Sequence, residues 1–189
     1  ITFSGYPGEA VTIDAQFIYR IGFEVEGDYI HITNIAFTRA KRFGIHTTDA
    51  LAIHISDVEA YMNADLDTAF PAIFVEYNSH DCLLERIHAH HNGVGISIGG
   101  PNNPWPAYCP NVPTNAPTNC IRAYPDVPVP GKPNNCVVQN SLIHDNFRGD
   151  YEGSDGLYFG YVDNGVARNN VIYGNIDDGI DMLASVNGI

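Results

Sequence analysis

Gly165-Val166-Ala167-Arg168-Asn169-Asn170-Val171-Ile172-Tyr173-Gly174-Asn175 is one copy of a pattern that runs through the chain. Apolar residues alternate, a polar residue interrupts them, a second short apolar strand follows, and an asparagine closes the unit. A period of two marks strands, because successive side chains of a strand point to opposite faces. The pattern returns in Cys136-Val137-Val138-Gln139-Asn140-Ser141, closed by Asn146, and in Cys82-Leu83-Leu84-Glu85-Arg86-Ile87, closed by Asn92. Ile53-His54-Ile55-Ser56-Asp57-Val58 repeats it with Asn63, and Ile30-His31-Ile32-Thr33-Asn34-Ile35-Ala36-Phe37 carries its first half.

The polar interruptions fall at Asn34, Asp57, Arg86, Asn140 and Asn169, in steps of 23, 29, 54 and 29 residues. A period of about 23 residues with loop insertions signals a solenoid. Leucine-rich repeats have a similar length, but their leucine framework is missing here. Parallel strands need long crossovers, and a coil that advances one rung per turn supplies them. The expected fold class is therefore all-β: a right-handed parallel β-helix of about 23-residue rungs with one long loop insertion. Residues 1–189 are expected to form a single domain. Rungs about 4.8 Å apart would turn equivalent positions into columns. One inward column would hold Ile32, Ile55, Leu84, Val138 and Ala167, and another Phe37, Ala60, Ala89, Ile143 and Ile172. Asn92, Asn146 and Asn175 would form an amide ladder at a turn.

Residues 99–135 break the period with Gly99-Gly100-Pro101-Asn102-Asn103-Pro104-Trp105-Pro106 and Pro125-Asp126-Val127-Pro128-Val129-Pro130-Gly131. Proline cannot donate to a strand ladder, so this segment reads as the loop insertion, a length usual for functional walls of a cleft. Trp105, Tyr108 and Tyr124 could stack on sugar rings or pin the loop to the solenoid. Neither end shows a polar cap, so further β-helix segments, of the same or another chain, are expected to continue the stack.

The chain carries 22 acidic against 9 basic residues, a net charge of -13. No basic face is on offer for phosphate, so nucleic acid is not an expected partner. No apolar run reaches the roughly 18 residues of a membrane-crossing helix, and no membrane partner is expected. Four cysteines, Cys82, Cys109, Cys120 and Cys136, occur without a C-x-x-C pair. An even count beside a long loop predicts disulfides and a secreted or extracellular setting. Cys82 and Cys136 hold the same place in neighbouring repeats, which predicts one bond between them and one between Cys109 and Cys120. The competing arrangement is a column of free thiols in the core.

The chemistry gathers near the C-terminal repeats. The third strand of each repeat opens on a glycine-apolar step: Gly44-Ile45, Gly95-Ile96, Gly156-Leu157, Gly179-Ile180. The residue before each glycine is Phe43, Val94, Asp155 and Asp178. Asp155 and Asp178 should then stack, with Asp177 at the bend and Asp181 on the outward side of the strand. Exposed Asp-Gly turns are a common bland use of such residues. Two in stacked register, with two further aspartates, predict a calcium site, because calcium takes six to eight hard oxygens. Zinc or copper would require His or Cys, and neither lies in that cluster. His88, His90, His91 and His144 form a separate group in which His90 and His144 share a column. Such histidines either ladder along the surface or hold a metal.

Asp155-Gly156 followed one rung later by Asp177-Asp178-Gly179-Ile180-Asp181 resembles the calcium site of the family 9 polysaccharide lyases, secreted pectate lyases built on a parallel β-helix. The likeness covers roughly residues 136–183. It implies calcium bound by Asp155, Asp177, Asp178 and Asp181, and an acidic, pectate-type polysaccharide as substrate. It implies that calcium engages the uronate carboxylate and that a neutral lysine removes the C5 proton, with β-elimination of the 4-linked sugar. The family's lysine lies beyond the matching aspartate segment, past Ile189. The chain's lysines are Lys41, several rungs upstream, and Lys132, in the proline-rich loop. No base is assigned. The residues thus leave open a lyase-like enzyme, a structural or carbohydrate-binding solenoid such as an adhesin or filament subunit, and a β-helical glycoside hydrolase using Asp177-Asp178 as acid and base.

Overall fold

A computed structural model describes residues 1–64, 70–99, 133–147 and 153–183. Among these residues the regular structure is strand. In chain order the strands are β1 (Thr2–Ser4), β2 (Thr12–Asp14), β3 (Ile21–Val25), β4 (His31–Thr33), β5 (Ala36–Thr38), β6 (Phe43–Thr48), β7 (His54–Tyr61) and β8 (Pro71–Glu76). They continue as β9 (Leu83–His90), β10 (Val94–Gly99), β11 (Val137–Gln139), β12 (Leu142–His144), β13 (Leu157–Gly160), β14 (Val166–Arg168), β15 (Val171–Tyr173) and β16 (Ile180–Leu183).

Every pairing between these strands is parallel. One sheet runs β1-β4-β7-β9-β11-β14, flanked by the ladder of β2, β5, β12 and β15. The other runs β3-β6-β8-β10-β13-β16. Strands adjacent in a sheet are thus separated in sequence by a whole coil, which is the parallel β-helix. The coils are not of one length. Thr33 meets Ser56 across a step of 23 residues. Asn63 meets Asn92 across 29, Asn92 meets Asn146 across 54, and Asn146 meets Asn175 across 29.

The polar interruptions are the corners of the coil. Asn34, Asp57, Arg86, Asn140 and Asn169 all take positive φ, between 52° and 55°. A single left-handed residue turns the strand while the alternation resumes beyond it, so both flanking segments can bury an apolar column. Among residues with a side chain, asparagine and aspartate adopt that conformation at least cost. At Arg86 the guanidinium spans to the Asp57 carboxylate below it, Nε to Oδ1 at 2.7 Å.

Both expected inward columns form. Ile32, Ile55, Leu84, Val138 and Ala167 pair in register, as do Phe37, Ala60, Ala89, Ile143 and Ile172. The second sheet adds Phe23, Ile45, Ile73, Ile96, Leu157 and Ile180. All of these except Ile180, which is 46% exposed, pack into one hydrophobic core between the sheets. Burying each such side chain contributes about 1.5–3 kcal/mol relative to leaving it in water.

The amide ladder is one member longer than expected, because Asn63 joins it. Asn92 Nδ2 donates to Asn146 Oδ1 at 3.1 Å and to Ala60 O at 2.9 Å. Asn146 Nδ2 donates to Asn175 Oδ1 at 2.9 Å.

Cys82 and Cys136 correct the expected disulfide. They are buried free thiols, side by side in one column. Parallel neighbours stand about 4.8 Å apart with side chains pointing the same way, whereas a disulfide wants Cβ atoms about 3.5–4.5 Å apart. The hydrogen bond to Cys136, and then burial, push the Cys82 thiol well above its ordinary pKa. Cys109 and Cys120, with Trp105, Tyr108, Tyr124 and Lys132, lie outside the described residues. Of the expected insertion, Gly99 closes β10 and Asn134 bridges between His80 and Asp163.

Candidate functional site

The amide ladder decides where the aspartates sit. It runs against the backbone at the start of the second sheet, so little room remains beside it. A Cβ at Gly156 would lie 2.5 Å from Asn175 Nδ2 and 2.6 Å from Ile172 Cγ2. The position before this crowded glycine is therefore fixed in space. Asp155 and Asp178 occupy it in adjacent coils, with the Gly156 N–H bonded to Asp178 O at 2.9 Å. The sequence pattern had missed two coils of this column, those of Gly22 and Ala72. Gly22 stands under Gly44, and Ala72 precedes Ile73, which pairs with Ile45 and Ile96.

Asp155 is buried, only 4% exposed. Its Oδ1 accepts the Asp178 backbone N–H at 3.2 Å. Asp177, at the bend, accepts the Gly153 N–H on Oδ2 at 2.6 Å. Asp181 pairs in register with Tyr158, one residue past the core position. Along the second sheet that outward row reads Glu24, His46, Phe74, Ser97, Tyr158, Asp181. Burial raises the Asp155 carboxyl to about 6, the Asp178 N–H works against that, and the charges of Asp181, Asp177 and Asp178 add to the rise. All four expected residues thus share one electrostatic neighbourhood. Among the described residues no lysine, arginine or histidine forms an ion pair with any of them. The buried Oγ of the adjacent Ser154 lacks a partner.

This donor set suits calcium. It is all oxygen and carries excess negative charge. The four carboxylates are not drawn together tightly: among the described residues, Glu59, His88 and His90 are the group whose three ligand atoms all lie within 4.8 Å of one another. Asp178 and Asp181 would draw in toward Asp155 and Asp177 around an ion to complete its shell. Lys41, in the turn before β6, donates its backbone N–H to Tyr19 O and stands at the opposite part of the stack from Asp178.

No protein-family model matches the sequence, and no curated protein matches it. Among solved structures the fold is similar to the mannuronan C-5 epimerase A-module of Azotobacter vinelandii, with a TM-score of 0.50 and 15% identity. The likeness covers 81% of this chain and 38% of that one. At this identity it is a likeness of fold, and it agrees with the parallel β-helix read from the repeats.

Proposed function

We propose that the chain belongs to a secreted, calcium-dependent, lyase-like right-handed β-helix that acts on acidic polysaccharide of the polyuronate, pectate type by β-elimination. The observation that carries this reading is the buried Asp155, stacked on Asp178 and surrounded by carboxylates without a cationic partner. Asp155, Asp177, Asp178 and Asp181 would hold the ion. When bound, calcium supplies a positive centre that binds a uronate carboxylate and makes the neighbouring C5 proton more acidic.

The chain's own residues supply position rather than proton transfer. Asp155 is held by the Asp178 N–H, and Asp177 by the Gly153 N–H, so two of the carboxylates keep fixed directions. Tyr158 flanks Asp181 in the outward row, where burial and the nearby Asp181 charge raise its hydroxyl above its ordinary value. No described residue is assigned as the base. The fold neighbour's name describes inversion at C5 of a mannuronan, a chain of uronate sugars. Loss of the C5 proton beside a carboxylate begins both that inversion and a β-elimination, which supports the same class of substrate.

The test is incubation with polygalacturonate and calcium, followed by absorbance at about 235 nm, where an unsaturated uronide absorbs. Growth of that band, abolished by EDTA and by Asp178→Asn, is the expected result. New reducing ends without the band would assign a hydrolase. Calcium binding with neither signal would assign a structural or carbohydrate-binding solenoid.

A further inference from the structure

On the other sheet, a second polar group is gathered by the same stacking. Glu59 pairs with His88 in register, and Tyr61, His90, His144 and Tyr173 form one row beside them. Ala60, Ala89 and Ile143 between these rows face the core, so Glu59, His88, His90 and His144 face outward. Glu59 Oε1 lies 3.6 Å from His88 Nδ1 and 3.1 Å from His90 Nε2. Around a tetrahedral ion with ligands at about 2.0–2.1 Å, neighbouring ligand atoms stand roughly 3.3 Å apart. The two observed separations bracket that value.

Proton accounting gives a second, independent reason. His144 Nδ1 lies 2.8 Å from Asp145 Oδ2. A carboxylate only accepts, so the proton sits on His144 Nδ1 and Nε2 keeps a lone pair. His88 Nε2 lies 2.9 Å from that Nε2 and must therefore carry the proton between them. This leaves His88 Nδ1 as a bare lone pair facing Glu59. On the other side, His90 Nδ1 is 2.7 Å from His91 Nδ1. His90 Nε2 lies 3.1 Å from the same carboxylate oxygen and, by the same rule, donates its proton there while His91 Nδ1 donates to His90 Nδ1; a metal at this point would displace the Nε2 proton. The three potential ligand atoms of Glu59, His88 and His90 then converge within 4.8 Å of one another, with Asp145 and His144 behind His88 and with His91 behind His90. Imidazoles whose far nitrogens are fixed by such partners are the usual supports of a metal.

We propose that Glu59, His88 and His90 form a binding site for a divalent transition metal of the zinc class, with Asp145, His144 and His91 orienting the two imidazoles. Two nitrogens and one carboxylate oxygen suit zinc and are a poor set for calcium. The His90 side chain is 16% exposed, while His88 and Glu59 are 40% and 45% exposed, so the fourth position opens to solvent. The site is separate from the aspartate cluster in both donor chemistry and sheet.

The experiment uses the full, tag-free chain, stripped with EDTA and titrated with zinc chloride against a chromophoric zinc indicator, then with cobalt(II) as a visible-spectrum probe. One equivalent of zinc per chain is expected, with cobalt bands of four- or five-coordinate intensity. Glu59→Gln and the double change His88→Gln/His90→Gln should each abolish that equivalent. Asp145→Asn should weaken it about 10- to 100-fold by releasing the relay. Asp178→Asn should leave it intact. Circular dichroism and melting of each variant check that the coil is retained. No zinc uptake up to millimolar concentration overturns the proposal, and so does uptake that survives in the folded double variant.

Discussion

Asp155→Asn isolates the electrostatic cost of the carboxylate cluster. The folded carboxyl titrates at about 6 against 3.8 for the free group. The folded state therefore holds more proton between these values, and stability falls as pH rises from about 4 to about 6. The difference of about two units corresponds to about 3 kcal/mol at most. Asp177 and Asp178 are exposed, so water screens part of it and about 1–3 kcal/mol is expected. Asparagine keeps an oxygen for the Asp178 N–H but cannot ionise. In EDTA at pH 7.5 the variant should be more stable than the parent, moving the urea midpoint up by roughly 1 M. At pH 4 the two should converge. Calcium at about 100 times its dissociation constant should return about 2.7 kcal/mol to the parent and much less to the variant, reversing their order. The assay is urea unfolding across a pH series, with EDTA or calcium. A variant less stable than the parent at pH 7.5 in EDTA, or one that keeps the parent's loss of stability between pH 4 and 6, would refute the reasoning.

Asn92→Ala should cost about 2–5 kcal/mol, because it strands the Asn63 N–H and Ala60 O in the interior; chemical denaturation measures it. Gly156→Ala should cost about 1–3 kcal/mol through overpacking against Asn175 and Ile172, and should weaken calcium binding in isothermal titration by displacing Asp155. Burial acts to lower the His46 pKa, but Glu76 and Glu24 outweigh it and hold the imidazole above its ordinary value. The resulting stabilisation is full below about pH 6.5 and is lost as pH rises through the folded value, so His46→Gln should flatten the melting temperature between pH 6 and 8. Cys82 and Cys136 should resist alkylation in the native protein and both accept label in denaturant without reductant, read by peptide mass.

The alternation around Asn34, Asp57, Arg86, Asn140 and Asn169 was enough to define the corners and two core columns, and the recurring glycine-apolar step the stacking of Asp155 on Asp178. These features are local in form and repeat along the chain, so aligning one coil on the next reveals them. The β8 coil escaped because Ala72 stands where the other coils carry glycine, although what the column requires is smallness. Glu59 escaped for a different reason. Nothing marks it beside Ala60 until His88 and His90 are laid over it, one coil later.

The sequence by itself determined the period, and with it the fold and the rows in which each side chain stands. Only the tertiary structure decided what happens between rows. The spacing of parallel rungs kept Cys82 and Cys136 as thiols, since stacking sets strand separation and side-chain direction together. The amide ladder against Gly156 fixed Asp155 in a buried position, where desolvation governs its charge. Diagonal contacts such as His88 to His144 depend on rotamers and on the stagger of neighbouring coils. A one-dimensional repeat carries neither.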